Sequence, residues 1–355
     1  MDELYYSAVD LLKRLVATES VSRQEAGAAD VMADFFNSRG YRVMRSGNNV
    51  WVTAPGFDPS LPSLLLNSHI DTVRPVDGWI QSPFEPVYDA ETDRLYGLGS
   101  NDAGASVVSL AAAFLHLASL EERGYNLTFL ASCEEEVSGR GGLESVVGML
   151  GPVDFAIVGE PTGMRPAIAE KGLMVIDAEV YGRAGHAARD EGDNAIYHAV
   201  DAIATLRAMT FARTSAMLGP VKISVTQMEA GTQLNVVPDL CRMVIDVRTT
   251  DAYSNAETLE MMRQALPGVK LTPRSTRHNP SGVEATHPFV VRAVMMGLEP
   301  FGSPTLSDQA LMPWPSVKIG PGDSARSHTA QEYICLAEIR EAIATYITLL
   351  TGLRL

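Results

Sequence analysis

Four runs constrain this chain most: LPSLLLN, NLTFLASC, DFAIVG and SVKIG are apolar at consecutive rather than alternate positions. A strand that is greasy on both faces has to be covered on both, which is the habit of parallel sheets. ASVVSLAAAFLHLASL is too long for one strand, is rich in alanine and leucine, and predicts a buried helix. Strands alternating with such helices predict an α/β fold: a mainly parallel sheet with helices on both faces. YRVMRS and NVWVTA predict two further strands.

Tyr6, Val9, Leu12, Leu15 and Val16 recur at helical spacing and predict a helix over residues 3–17. Ser22-Arg23-Gln24-Glu25 has the form of a capping box, from which a second helix should run to Arg39 and stop at Gly40. AEIREAIATYITLL predicts a closing helix. Beyond Gly172 the texture changes. MVIDAEVYG, KISVTQME and CRMVIDVRT alternate apolar and polar residues, which predicts an antiparallel sheet with one wet face. Helical segments fall between them, near residues 194–209 and 255–265. The 355 residues therefore divide into a first domain, 1–171 with 275–355, and an inserted α/β domain, 172–274. The turn-rich PRSTRHNPSG is the expected return linker.

Basic residues number 28 and acidic ones 43, a formal net charge of −15, and no basic cluster offsets the excess. Phosphate backbones would be repelled, so nucleic acid is not an expected partner. No segment is apolar over the ~18 residues that a membrane span takes. MDELYYSAVD lacks the basic leader and apolar run of a secretory signal. Cys133, Cys241 and Cys335 share no paired spacing, which predicts reduced thiols in a cytoplasmic protein.

In open α/β sheets ligands bind beyond the carboxyl ends of the strands, and the reactive side chains of this sequence gather there. LPSLLLN runs into His69 and Asp71, and RLYGLGS leads to Asn101 and Asp102 before the long helix. NLTFLAS ends in Cys133-Glu134-Glu135-Glu136, FAIVG ends in Glu160, and SVKIG is followed after GPGDSARS by His328. Singly, each has an ordinary reading: a loop histidine bonded to an aspartate, a helix-capping aspartate, solvated glutamates, a turn residue before proline, a surface histidine. Their recurrence at successive strand ends is what those readings leave uncovered. Imidazoles and carboxylates together make the donor set of a divalent transition-metal site.

The blocks LLLNSHIDTV, GLGSND, SCEEEVSGRGG, VGEPT, YGRAGHAA, LNVVPD and GPGDSARSHTAQEY occur in that order over essentially the whole chain. In this the sequence resembles the dinuclear zinc amidohydrolases that include acetylornithine deacetylase, succinyl-diaminopimelate desuccinylase and bacterial glutamate carboxypeptidase. The resemblance implies hydrolysis of the amide bond of a small N-acyl amino acid with two divalent metal ions, zinc or cobalt. It implies that His69 and Glu160 hold one ion, Glu136 and His328 the other, and that Asp102 bridges them. Asp71 would accept a hydrogen bond from the far nitrogen of His69 and fix its tautomer, and Glu135 would be the general base.

In the inserted domain, the resemblance implies that His186 helps hold the oxyanion in a neighbouring subunit's site. It implies substrate-binding roles for Asn235 and Arg248, with Arg248 alternatively an ordinary strand residue. GSPTLSD is similar to a loop that cradles a substrate carboxylate. The inserted domain would act as lid and dimerisation surface, giving a homodimer. The compact length and the PGDSARSHTAQEYI tail look most like the acetylornithine deacetylase branch, hence arginine biosynthesis. A desuccinylase acting on diaminopimelate, or a dipeptidase, is the alternative, and a non-catalytic binding relative a remote one.

Four positions depart from the family's pattern. Glu134 stands where relatives carry aspartate, which leaves open a frame in which Glu134 and Glu135 act; the spacing to VSGRGG favours Glu135 and Glu136. Gly104 replaces a lysine, and Ala187 and Ala188 replace serines. Relatives also have a non-proline cis bond just after the aspartate that matches Asp102. His116, His198, His278 and His287 lie outside every block and are expected to be structural or exposed.

Overall fold

The computed structural model describes residues 1–355. The chain forms two compact units, residues 1–168 with 282–301 and 307–355, and residues 169–281 with 302–306.

The first unit holds the strands β1 (Val43–Ser46), β2 (Asn49–Thr53), β3 (Ser63–His69), β4 (Asn126–Ser132), β5 (Phe155–Val158) and β6 (Ser316–Lys318). Its helices are α1 (Asp2–Val16), α2 (Ala26–Asn37), α3 (Ala105–Ala118), α4 (Pro288–Met295) and α5 (Leu336–Leu350). The strands lie in the order β1-β2-β4-β3-β5-β6. The four from β4 to β6 are parallel, and β1 and β2 form an antiparallel edge. Side chains of a strand point alternately to opposite faces, and both faces are covered. Leu64, Leu66, Leu127, Phe129, Phe155 and Ile157 share one core with residues of all five helices. Leu65, Leu130 and Ala156 share the other with Trp51, Leu143, Val146 and Leu150, beneath the short 3-10 turns at Leu143–Ser145 and Val147–Met149.

In α3 every residue from Ala105 to Phe114 is buried, which its small alanines and serines permit. Phe114, Phe36 and Phe129 meet at ring separations of 5.2–6.2 Å. Burying each such side chain contributes roughly 1.5–3 kcal/mol.

The capping box expected at Ser22–Glu25 does not form, and α2 begins at Ala26 with no side-chain cap. Val21 bridges Thr72, Ser22 N donates to Thr72 O, and the serine is thereby drawn toward Asp71, to whose Oδ2 its Oγ donates at 2.7 Å. Glu25 is fully buried and accepts instead from Arg23 N at 2.5 Å, Asn48 Nδ2 at 2.9 Å and Glu134 N at 3.2 Å. A buried carboxylate takes the best donors within reach, and here they lie on other loops.

The second unit is a four-stranded antiparallel sheet in the order Lys222–Ala230, Leu240–Thr249, Gly172–Tyr181, Val269–Pro273. Met174, Ile176, Ala178 and Val180 alternate inward and share a core with Met243, Ile245 and Val247 and with the helices Ala195–Ala208 and Asn255–Ala265. The other face carries Asp177, Glu179, Arg242, Lys270 and Arg274. This unit reaches beyond residues 172–274. Leu173 N donates to His278 O, Asn255 Nδ2 donates to the same oxygen, and Lys171 N donates to Ser303 O. No helix of the chain is long and apolar enough to cross a membrane.

Candidate metal centre

Parallel pairing brings the strand ends level. His69, the last residue of β3, is in register with Ser132, the last of β4, and Gly159 N just after β5 donates to Asn67 O at 2.7 Å. The residues that follow each strand therefore emerge side by side. Asp102 comes from the turn Ser100–Gly104 that leads into α3, where the Asp102–Ala103 peptide is cis. Gly104 is required there: a Cβ on it would lie 2.4 Å from Gly99 O and 2.8 Å from Leu12 Cδ1. The lysine expected from the resemblance would have no room at this position in this chain.

His69 is buried. Its Nε2 lies 3.3 Å from Asp102 Oδ1, 3.7 Å from Glu160 Oε1 and 4.0 Å from Glu135 Oε2. His328 Nε2 lies 3.0 and 3.1 Å from the oxygens of Glu136 and 3.6 Å from Asp102 Oδ2. Asp102 thus turns one oxygen to each imidazole. The donor atoms of His69, Asp102 and Glu136 all fall within 4.8 Å of one another, as do those of His69, Glu135 and Glu160. Glu134 (φ 56°), Ser138 (45°), His328 (60°) and Gln331 (63°) hold left-handed backbone that non-glycine residues seldom adopt. Such conformations cluster at functional sites.

Asp71 is buried beside His69, with one difference from expectation. His69 Nδ1 bonds to the backbone oxygen of Asp71 at 3.0 Å, while the nearer carboxylate oxygen is 3.6 Å away. The carboxylate accepts instead from Glu135 N at 3.0 Å, Glu136 N at 3.1 Å and Ser22 Oγ. It holds the glutamate loop as well as facing the imidazole. Glu134 turns the other way: its carboxylate accepts from Gly141 N at 3.2 Å and packs on Gly139, where a Cβ would collide with it. The glutamates that face the histidines are Glu135 and Glu136.

Burial pushes the Glu135 carboxyl well above the usual range, and the charges of Glu160, Asp308 and Glu136 add to this against the pull of His69. Burial likewise raises Glu160 to about 8, and it raises Glu136 against the hydrogen bond from His328. His328 is drawn up to about 9, first by its bond to Glu136. Burial opposes the charged form of His69, yet its bond to Asp102, the Asp71 carboxylate it faces and the charges of Glu135 and Glu160 carry it well upward. Four desolvated carboxylates around two imidazoles hold more negative charge than they can balance. Oxygen and imidazole donors in that excess fit a pair of divalent cations.

The sequence profile of Peptidase family M20/M25/M40 matches residues 65–352. The chain belongs to this family. A relative described as succinyl-diaminopimelate desuccinylase, from Wolbachia pipientis wMel, is 26% identical over 266 residues, which is 70% of this chain and 65% of that protein's length. Among solved structures, a tripeptidase from Staphylococcus aureus superposes with a TM-score of 0.78 at 18% identity, covering 98% of each chain. A Bacillus subtilis protein described as a dinuclear metal binding peptidase of the M20 family gives 0.74 at 16% identity over 99% of each. At these identities the structures show a shared fold.

The remaining expected residues of this M20 chain lie in the second unit. His186 is exposed in the strand Gly185–His186, paired with Val236–Val237, and Ala187 N donates to Asn235 O at 3.0 Å. His186 and Asn235 are therefore neighbours. Arg248 is elsewhere on that unit, its guanidinium gripping Asp246 two residues back at 2.9 and 3.1 Å.

Two buried acids lie within GSPTLSD and GPGDSARSHTAQEY, stretches that the resemblance picks out without giving either acid a role of its own. Asp308, in GSPTLSD, accepts from Asn67 Nδ2 at 2.9 Å and Ser132 Oγ at 2.6 Å beneath the strand ends. Glu332 is 1% exposed and accepts from three backbone amides of residues 99–102. Burial raises it to about 8 against the pull of those amides. The one available signal was an acid placed directly before the apolar-aromatic run YIC.

Proposed function

We propose that this chain hydrolyses the amide bond of an N-acyl amino acid, with one divalent cation held by His69 and Glu160, a second by Glu136 and His328, and Asp102 shared between them. The observation that carries the reading is the Asp102 carboxylate, with one oxygen 3.3 Å from His69 and the other 3.6 Å from His328. When bound, the two ions supply positive charge that polarises a carbonyl and makes water acidic near neutral pH.

The rest of the chemistry belongs to the protein. Glu135, beside His69 with its carboxyl raised by burial, takes a proton from the attacking water and returns it to the leaving nitrogen. An acid whose affinity for protons sits well above the carboxylate range is suited to both transfers. Asp71 holds the backbone of Glu135 and Glu136 and, through its carbonyl, the ring of His69.

For substrate, our reading is an N-acylated diamino acid. The Wolbachia relative's description favours N-succinyl-diaminopimelate, and with it lysine biosynthesis; the tail of the sequence favours N-acetylornithine and arginine biosynthesis. Zinc is the metal we assign, with cobalt as a working substitute. Turnover of acetylated and succinylated ornithine, lysine and diaminopimelate, with either metal added, separates these readings. Cleavage of none of them by zinc-loaded protein would overturn the deacylase assignment.

Residues 169–281 serve in this reading as lid and dimerisation surface, with His186 and Asn235 reaching substrate. The mostly exposed edge strand Lys222–Ala230 supports pairing with a second copy. A fully active monomer in sedimentation would contradict the shared role of His186. The free thiols of Cys133, Cys241 and Cys335 support a cytoplasmic, reducing setting.

A further inference from the structure

The segment that carries His328 and the turn that carries Asp102 are fastened together by one side chain. Glu332 Oε1 accepts from Asn101 N and Asp102 N, both at 2.9 Å, and Oε2 accepts from Gly99 N at 3.2 Å. The backbone oxygen of Glu332 accepts from Gly97 N at 3.0 Å. The next residues, Tyr333–Cys335, pair antiparallel with Arg94–Tyr96. Strand pairing therefore fixes where Glu332 stands, and its carboxylate fixes the amide of Asp102. His328 is four residues earlier on the same segment. The Asn101 side chain adds stitches, donating to Asp323 O at 3.1 Å and accepting from Asp323 N at 3.0 Å.

A turn whose successive N–H groups point one way needs an acceptor, and in a buried site water does not supply it. Three convergent donors suit a carboxylate, which is acceptor-only when ionised, and the three amides pull Glu332 toward that form against its burial. An amide cannot replace it: with its oxygen kept on Asn101 and Asp102, its NH2 would face Gly99 N, donor against donor.

We propose that Glu332 is a positioning residue, whose carboxylate holds the Asp102 turn in register with His328 so that the two Asp102 oxygens stay aimed at the two imidazoles. The proposal rests on the metal reading above, and it adds a residue that touches neither imidazole. A residue that merely stabilises the fold would loosen the whole unit when replaced. A positioning residue loosens one turn and weakens the ions.

The test compares wild type with Glu332→Gln, using zinc alone as probe. Far-UV circular dichroism is expected to be unchanged. Amide exchange in residues 99–102 of the zinc-free protein is expected to speed up about tenfold or more, with β3 and α3 unchanged. Zinc affinity is expected to fall by about 10–100-fold, the usual cost of losing support behind a ligand. Equal zinc affinity in the two proteins overturns the positioning role, as does exchange that quickens throughout the unit. If wild type binds no zinc while residues 99–102 still loosen selectively in E332Q, the metal reading falls and the pinning of the turn survives it. Should E332Q fail to fold, Glu332→Asp carries the same comparison. It keeps the charge one methylene short, and a smaller loss of the same pattern is expected.

Discussion

On the outer face of the antiparallel sheet, Arg274 lies 2.8 Å from Asp177, and Lys270 lies 2.7 Å from Glu179, with Arg242 a further 1.0 Å more distant at 3.7 Å. At the ends of the parallel strands, Asp102, Glu135, Glu136 and Glu160 share two imidazoles. Both places are rich in acids. In the first, each acid has a base of its own and water on one side, so the carboxyls of Asp177 and Glu179 and the bases Lys270 and Arg274 are drawn toward their charged forms. In the second, acids outnumber bases out of water, and three of the four are pushed toward their neutral form. The difference teaches that burial without enough counter-charge marks a site that wants a cation, whereas the same residue types paired in the open mark a surface.

The comparison breaks first at Glu135. Replacing it by glutamine should leave zinc bound and lower kcat by about 10²–10⁴-fold, the usual share of a general acid–base group. Undiminished turnover in stopped assays would take the proton-transfer role from it. Asp71→Asn is the next largest expected effect. Its new NH2 must confront Glu135 N, Glu136 N or Ser22 Oγ, all of which now donate to the carboxylate. Zinc affinity should drop by about 10–100-fold in calorimetric titration, and an unchanged affinity would leave Asp71 a mere loop brace.

Zinc itself should stabilise the crowded cluster. At a free concentration a hundredfold over Kd the gain is about 2.7 kcal/mol per ion, visible as a rise in Tm during thermal denaturation. No rise would mean that the acids there are content with protons. The smallest effect belongs to the paired surface. Lys270→Ala and Arg274→Ala should leave Tm and zinc binding unchanged, because exposed pairs contribute little. A drop of several degrees in either would show that this face is more than solvated.

Much of this was legible in the sequence where the cause is local. Alternation in MVIDAEVYG yields Gly172–Tyr181, buried at every second position, and the unbroken run LLL yields a strand buried on both sides. The strand ends of the sequence bring two histidines and several carboxylates together, and the resemblance to the amidohydrolases is what singles out His69, Asp102, Glu136, Glu160 and His328 among them. What escaped was decided by partners far along the chain. Ser22 reads as a helix cap until Thr72 draws it beside Asp71, 49 residues away. Glu332 reaches amides 230 to 233 positions distant, and no local pattern announces that. The two frames of the glutamate run were separated by packing, since the glycines of VSGRGG make room for Glu134.

The most direct measurement is metal analysis of the folded protein before and after exhaustive chelation, with hydrolysis of the best acylated diamino acid followed in the same samples. The account predicts two zinc ions per chain, activity lost with them, and activity regained when zinc is returned. Full hydrolysis by protein stripped of metal would contradict it.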